Sequence, residues 1–217
     1  VTPAANCQHP SAEARLARLR ARRLQPGEAA TCYLDARHGN AAVKVLPGEW
    51  FVDDDDVLVT TTLGSCIAVC LWDRERRLGG INHFMLPSLD EARADAASGR
   101  YGAHAMELLV NALLARGGVR SRLEAKVFGG AAVIPGMTSL NVGERNTSFV
   151  LAYLQAERIP VVSQDVLDVH PRRLVFLPAS GKAMVKRLAA SSVAGVLHDE
   201  QLALQRAVAA GGSVQLF

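Results

Sequence analysis

Residues 60–87, TTTLGSCIAVCLWDRERRLGGINHFMLP, decide how this chain is read. Cys66 follows a Gly-Ser turn, and His83 lies three positions after the Gly79-Gly80 pair. Between them lie an apolar run and a charged turn, Asp73 to Arg77. The pattern predicts two buried strands joined by a hairpin-like connection. Residues 66–72 are apolar on both faces, so periodicity leaves a buried strand and a short buried helix both open. The helix option would place Cys66 at a helix N-terminus, where a thiol ionises more readily. Folding the connection back brings Cys66 toward His83, and a thiol beside an imidazole can attack a carbonyl carbon. Gly64 lets the backbone bend just before the cysteine.

Outward from this stretch, turn residues punctuate a series of short elements. Strands are expected at 31–36, 42–46, 57–61, 81–86, 123–128, 159–166, 172–177 and 183–188. Tyr101 to Ala115 reads as an amphipathic helix ended by Gly117-Gly118. Asn141 with Glu144 has the spacing of a helix start, with the helix running to about Arg158. Residues 90–100 are polar and alanine-rich, a loop or loose helix. Asp53 to Asp56 is expected to be a solvated turn, because four consecutive acids cannot all face one ion. These elements predict an α+β fold: a single domain with a layered, mostly antiparallel β core and two main helices packed outside.

The chain has 217 residues, 49% of them hydrophobic, enough for one sizeable core. No apolar run approaches the ~18 residues of a membrane helix, so no membrane insertion is expected. The net charge of +3 is too mild to argue for nucleic acid. Arg15, Arg18, Arg20, Arg22 and Arg23 cluster near the start. Such a start suits a transit peptide or an anchor on an anionic surface, but a solvated, partly disordered helix is the commoner behaviour of a terminus and is expected here. Cys7, Cys32, Cys66 and Cys70 lack disulfide-framework spacing and read as reduced thiols of a cytoplasmic protein. A zinc site on Cys66, Cys70 and His83 lacks a fourth ligand, so no metal is expected. Gly129-Gly130 lacks the Lys-Ser/Thr that a phosphate loop needs.

Five motifs carry a resemblance: VKVLPGEW at 43–50, VTTTLGSCIAVCLWD at 59–73, GGINHFMLP at 79–87, AKVFGGA at 125–131 and VGERN at 142–146. In order and spacing, over about residues 31–188, the chain resembles the chemoreceptor glutamine deamidase family, CheD. The resemblance implies a layered α/β/β arrangement and a deamidase domain at 30–189, between a peripheral extension at 1–29 and a tail at 190–217. It implies Cys66 as nucleophile, His83 as its histidine and Thr60 as the threonine that orients the ring. The neighbouring Thr61 and Thr62 leave a one-residue shift open. Gly64 and Ser65 are the candidates for the oxyanion turn. It further implies methyl-accepting chemotaxis receptors as substrates, no cofactor, and a broad site that admits a helix surface. Glutamyl methyl ester hydrolysis, or a mainly binding role toward a receptor or a response-regulator phosphatase, are the alternatives. The sequence departs from the family at 165–169, Asp-Val-Leu-Asp-Val, where the family has a Gly-Gly pair.

Overall fold

A computed structural model describes residues 10–86, 94–132, 142–189 and 195, and of 94–98 the backbone alone. Two five-stranded sheets form the body. The first holds β1 (Thr31–Asp35), β2 (Asn40–Lys44), β4 (Leu58–Leu63), β9 (Arg172–Leu177) and β10 (Lys182–Arg187), in the order β1-β2-β4-β9-β10. The second holds β3 (Trp50–Asp53), β5 (Ile67–Asp73), β6 (Leu78–Phe84), β7 (Leu123–Gly129) and β8 (Val161–Val166), in the order β3-β6-β5-β7-β8. Among the described residues, only the strands β2–β4 and β7–β8 pair in parallel; the other strand pairs are antiparallel. The expected α+β class and layering are what the structure shows.

One apolar layer lies between the sheets, with Val43, Val59 and Phe176 facing Ala68, Cys70 and Ile81. A second lies between the β5 sheet and the helices α2 (Ala94–Ala115) and α3 (Val142–Ala156). It joins Ile67, Val69 and Leu71 to Met106, Leu109, Leu113 and Val150. Strand β5 is therefore covered on both faces, which is why its run is continuously apolar. This settles residues 67–73 as a strand and removes the helix-terminus option for Cys66. Its pairing with β6 runs from Ile67↔Phe84 to Asp73↔Leu78, and the charged turn closes the hairpin.

Helix α2 begins at Ala94, so residues 94–100 take the helical of the two expected options, loop or loose helix, and a Gly117–Gly118 cap returns to Leu113 and Leu114 as expected. The expected helix start at Asn141 and the tail beyond 189 lie outside the described residues, apart from Gly195. Strand β3 was not expected; its four residues pair with the Gly-rich start of β6.

The Arg-rich start departs from the expected solvated helix. Ser11 caps α1 (Ala12–Arg20), and Leu16 and Leu19 are buried in the inter-sheet layer. The acid run, expected to be solvated, is what holds it. Asp53 is fully buried and accepts from Arg18 and Arg22, while Asp55 accepts from Arg15. Complementary charge on two neighbouring segments explains both departures.

Candidate active site

Cys66 sits one residue before β5, and the β5–β6 register, carried one step beyond its end pair Ile67↔Phe84, sets it opposite Met85. His83 lies two residues before Met85, hence on the same sheet face, which looks into the inter-sheet layer. Both side chains are buried: Cys66 is 0% and His83 2% exposed. The hairpin thus brings the two expected residues to one internal face, as diagonal neighbours.

The imidazole is fixed from the other sheet. Thr61 Oγ1 donates to the Val45 carbonyl at 2.8 Å and lies 2.8 Å from His83 Nδ1. With the single hydroxyl hydrogen on the Val45 carbonyl, the ring donates to Thr61 from Nδ1. Nε2 is then the unprotonated nitrogen. It is buried and, among the described residues, has no hydrogen-bond partner, the Cys66 thiol included. Burial pushes the His83 pKa down to about 4, partly offset by the Val45 carbonyl. At neutral pH the ring is a neutral base.

Thr60, the expected orienting residue, faces elsewhere. Its hydroxyl lies 3.1 Å from the Tyr33 hydroxyl and donates weakly to Val43 O. Strand alternation sends neighbouring side chains to opposite faces, and the structure places Thr61, not Thr60, on the ring.

The turn before Cys66 is tied by its carbonyls. Gly64 O accepts from Ala131 N, Ser65 O from Asn146 Nδ2 and Cys66 O from Gly130 N, each at 2.8 Å. Within a trans peptide the N–H points opposite to its carbonyl, so the N–H groups of Ser65 and Cys66 face away from these donors. Asn146 is fully buried and also accepts from Leu86 N, linking the two halves of the hairpin. Gly129 adopts φ +112°, and a Cβ there would meet Cys66 O at 2.1 Å. The AKVFGGA and VGERN motifs are therefore parts of the cysteine turn, a role that their distance in sequence concealed.

At 165–169, Leu167 and Asp168 take left-handed φ values of +64° and +72°. These are conformations glycine adopts readily and other residues resist. Buried Arg172 holds the segment by donating to Asp165, Leu167 O and Gly129 O. A cavity of about 360 Å³ reaches His83 between the 48–50 segment and α2, with Tyr101 and His104 on its wall. Burial raises the Tyr101 pKa, and the neighbouring Cys66 charge adds to it. Along the extended backbone Cys66 and Cys70 are roughly 13 Å apart, too far for a disulfide and for a shared zinc.

A two-sheet α+β body with a thiol, a locked neutral imidazole and a hydroxyl at one internal face has the side-chain set of a thiol-dependent hydrolase. The comparisons with known proteins make the class particular. The family model described as CheD chemotactic sensory transduction matches residues 85–187. The probable chemoreceptor glutamine deamidase CheD 1 of Albidiferax ferrireducens is 53% identical over 206 residues, 94% of this chain and 87% of that protein. The probable chemoreceptor glutamine deamidase CheD of Paraburkholderia xenovorans is 44% identical over 199 residues, 87% of this chain and 80% of its own. The chain belongs to the CheD family. Among solved structures, the hypothetical protein YfiH of Bacillus licheniformis aligns with 55% of this chain and 49% of its own, at a TM-score of 0.35 and 14% identity. That likeness is too slight to bear on the site.

Proposed function

We propose that this chain converts glutamine side chains of chemoreceptors to glutamate through a Cys66 thioester. The observation that carries the reading is the buried, unpartnered Nε2 of His83 on the face that Cys66 shares. An unsatisfied buried nitrogen is costly, and here it is a base awaiting a proton.

His83 Nε2 takes the thiol proton, and Sγ attacks the carboxamide carbon of a glutamine. The N–H groups of Ser65 and Cys66, next to Gly64, are the donors to the tetrahedral oxyanion; such a donor is typically worth ~3 kcal/mol. The imidazolium gives its proton to the leaving nitrogen, ammonia departs, and a thioester remains. Water, deprotonated by His83, attacks the thioester carbon. The C–S bond breaks, the thiolate recovers the proton, and glutamate is released. Thr61 keeps Nδ1 protonated throughout, so Nε2 is always the nitrogen that works. Cys66 is buried and does not itself line the cavity beside Tyr101; that cavity, which His83 lines, is the proposed entry for the glutamine.

Residues 30–189 are the proposed deamidase domain, with α1 as its brace. The substrates are methyl-accepting receptors at their cytoplasmic helices, where the product glutamates become methylation sites. No helix among the described residues is long and apolar enough to cross a membrane. The test is incubation with a receptor cytoplasmic fragment, followed by peptide mapping for amide-to-acid conversion. Cys66→Ala is expected to abolish conversion and leave the melting transition in place. Conversion near the wild-type rate would refute the thiol mechanism.

A further inference from the structure

The cavity at His83 does not end there. A second cavity, of about 490 Å³, shares Pro26, Trp50 and Leu108 with it and runs along α2 to Arg116. Together they form one groove from Tyr101 to Arg116, about 22 Å at 1.5 Å per helical residue. Its middle is apolar, with Trp50, Leu108 and Ala112 on the walls. Its far end is basic: three arginines, Arg22, Arg23 and Arg116, line it against one acid, Glu28. Arg22 is bound by Glu28 and Asp53, and Arg116 by Asp54 and the Val52 carbonyl. Arg23 is exposed and has no ion pair among the described residues.

We infer that this groove seats an amphipathic helix of the substrate, with its reactive glutamine at the cavity that His83 lines and a carboxylate at Arg23 in the second cavity. The inference rests on the deamidase reading above. Three observations select this occupant. The groove is continuous with the cavity that His83 lines, so whatever fills it also reaches that cavity. Its length and apolar floor fit a helix face. Its free charge calls for an acid, and deamidation leaves carboxylates on its own substrate. A helix already processed at one glutamine thus carries the charge that Arg23 meets.

The experiment measures binding apart from chemistry. A receptor cytoplasmic fragment is titrated against Cys66→Ala protein, alone and combined with Arg23→Glu or Asn111→Trp. Asn111 is exposed on α2 and lines the groove, so the tryptophan obstructs it without touching the core. Each added change is expected to weaken Kd about tenfold, with the melting transition checking the fold. Unchanged Kd in both variants, or no binding at all, overturns the inference. So does a self-association in sedimentation that either variant abolishes, since the occupant would then be a second copy. Loss of binding in the variants while the wild-type chain converts no amide would leave the docking groove standing and sink the deamidase reading instead.

Discussion

Thr60 and Thr61 differ by one position and serve different neighbours. Thr61 joins the Val45 carbonyl to the His83 ring, whereas Thr60 meets Tyr33. Thr61→Val removes the 2.8 Å acceptor for Nδ1–H, leaves only the Val45 carbonyl at 3.5 Å, and loosens the hold on the tautomer. It is expected to lower kcat by ten- to a hundredfold, the range of a lost ring-orienting partner, while Thr60→Val changes kcat less than about threefold. Ammonia release from the receptor fragment checks both; equal losses would remove the distinction. That Cys66 and His83 come to one face was legible in the sequence because a Gly-Ser turn and a Gly-Gly pair frame a hairpin-length interval; their proposed roles came from the family resemblance. Which threonine reaches the ring was not legible, because three consecutive threonines present the same chemistry and only strand phase separates them. Asn146 was hidden for another reason: it clamps Ser65 O across 81 residues of chain, and no local pattern announces such a contact.

At the level of elements, β5 and α1 show two ways in which a pattern misleads. The apolar run of β5 fits helix or strand until it is seen covered by helices on one face and a sheet on the other. The arginines of α1 and the acids of 53–56 each look solvated alone, and only together do they make an attachment. Asp53 is fully buried, while the Arg18 side chain is 42% exposed, so water shares the loss when the pair is broken. Asp53→Asn is expected to cost about 2 kcal/mol. Hydrogen exchange should show residues 12–20 opening faster, with β5 and β6 unchanged. Equal protection of α1 in both proteins would show that Leu16 and Leu19 hold it unaided.

Across the whole molecule, the layered architecture followed from the sequence, whereas strand order did not, since β4 pairs with β2 and with the distant β9. Layering also gives the fold a pH signature. His83 has an ordinary pKa of 6.5 in the unfolded chain and about 4 when buried between the sheets. The unfolded state therefore binds the proton more readily, and stability is full above pH 6.5 and declines as pH falls toward 4. The loss attributable to this ring is about 3 kcal/mol. Denaturant melts from pH 7 to 4 should show a steeper decline for the wild-type chain than for His83→Gln. Parallel curves would mean that the ring carries no such penalty.

The thiol and the imidazole hang from one sheet, yet the hydroxyl that steadies the imidazole belongs to the other. The gap between the two slabs is thus a tuning dimension of the chemistry. A substitution deep in their shared filling, far from sulfur, can tilt the ring and throttle turnover while the outer groove still grips its guest.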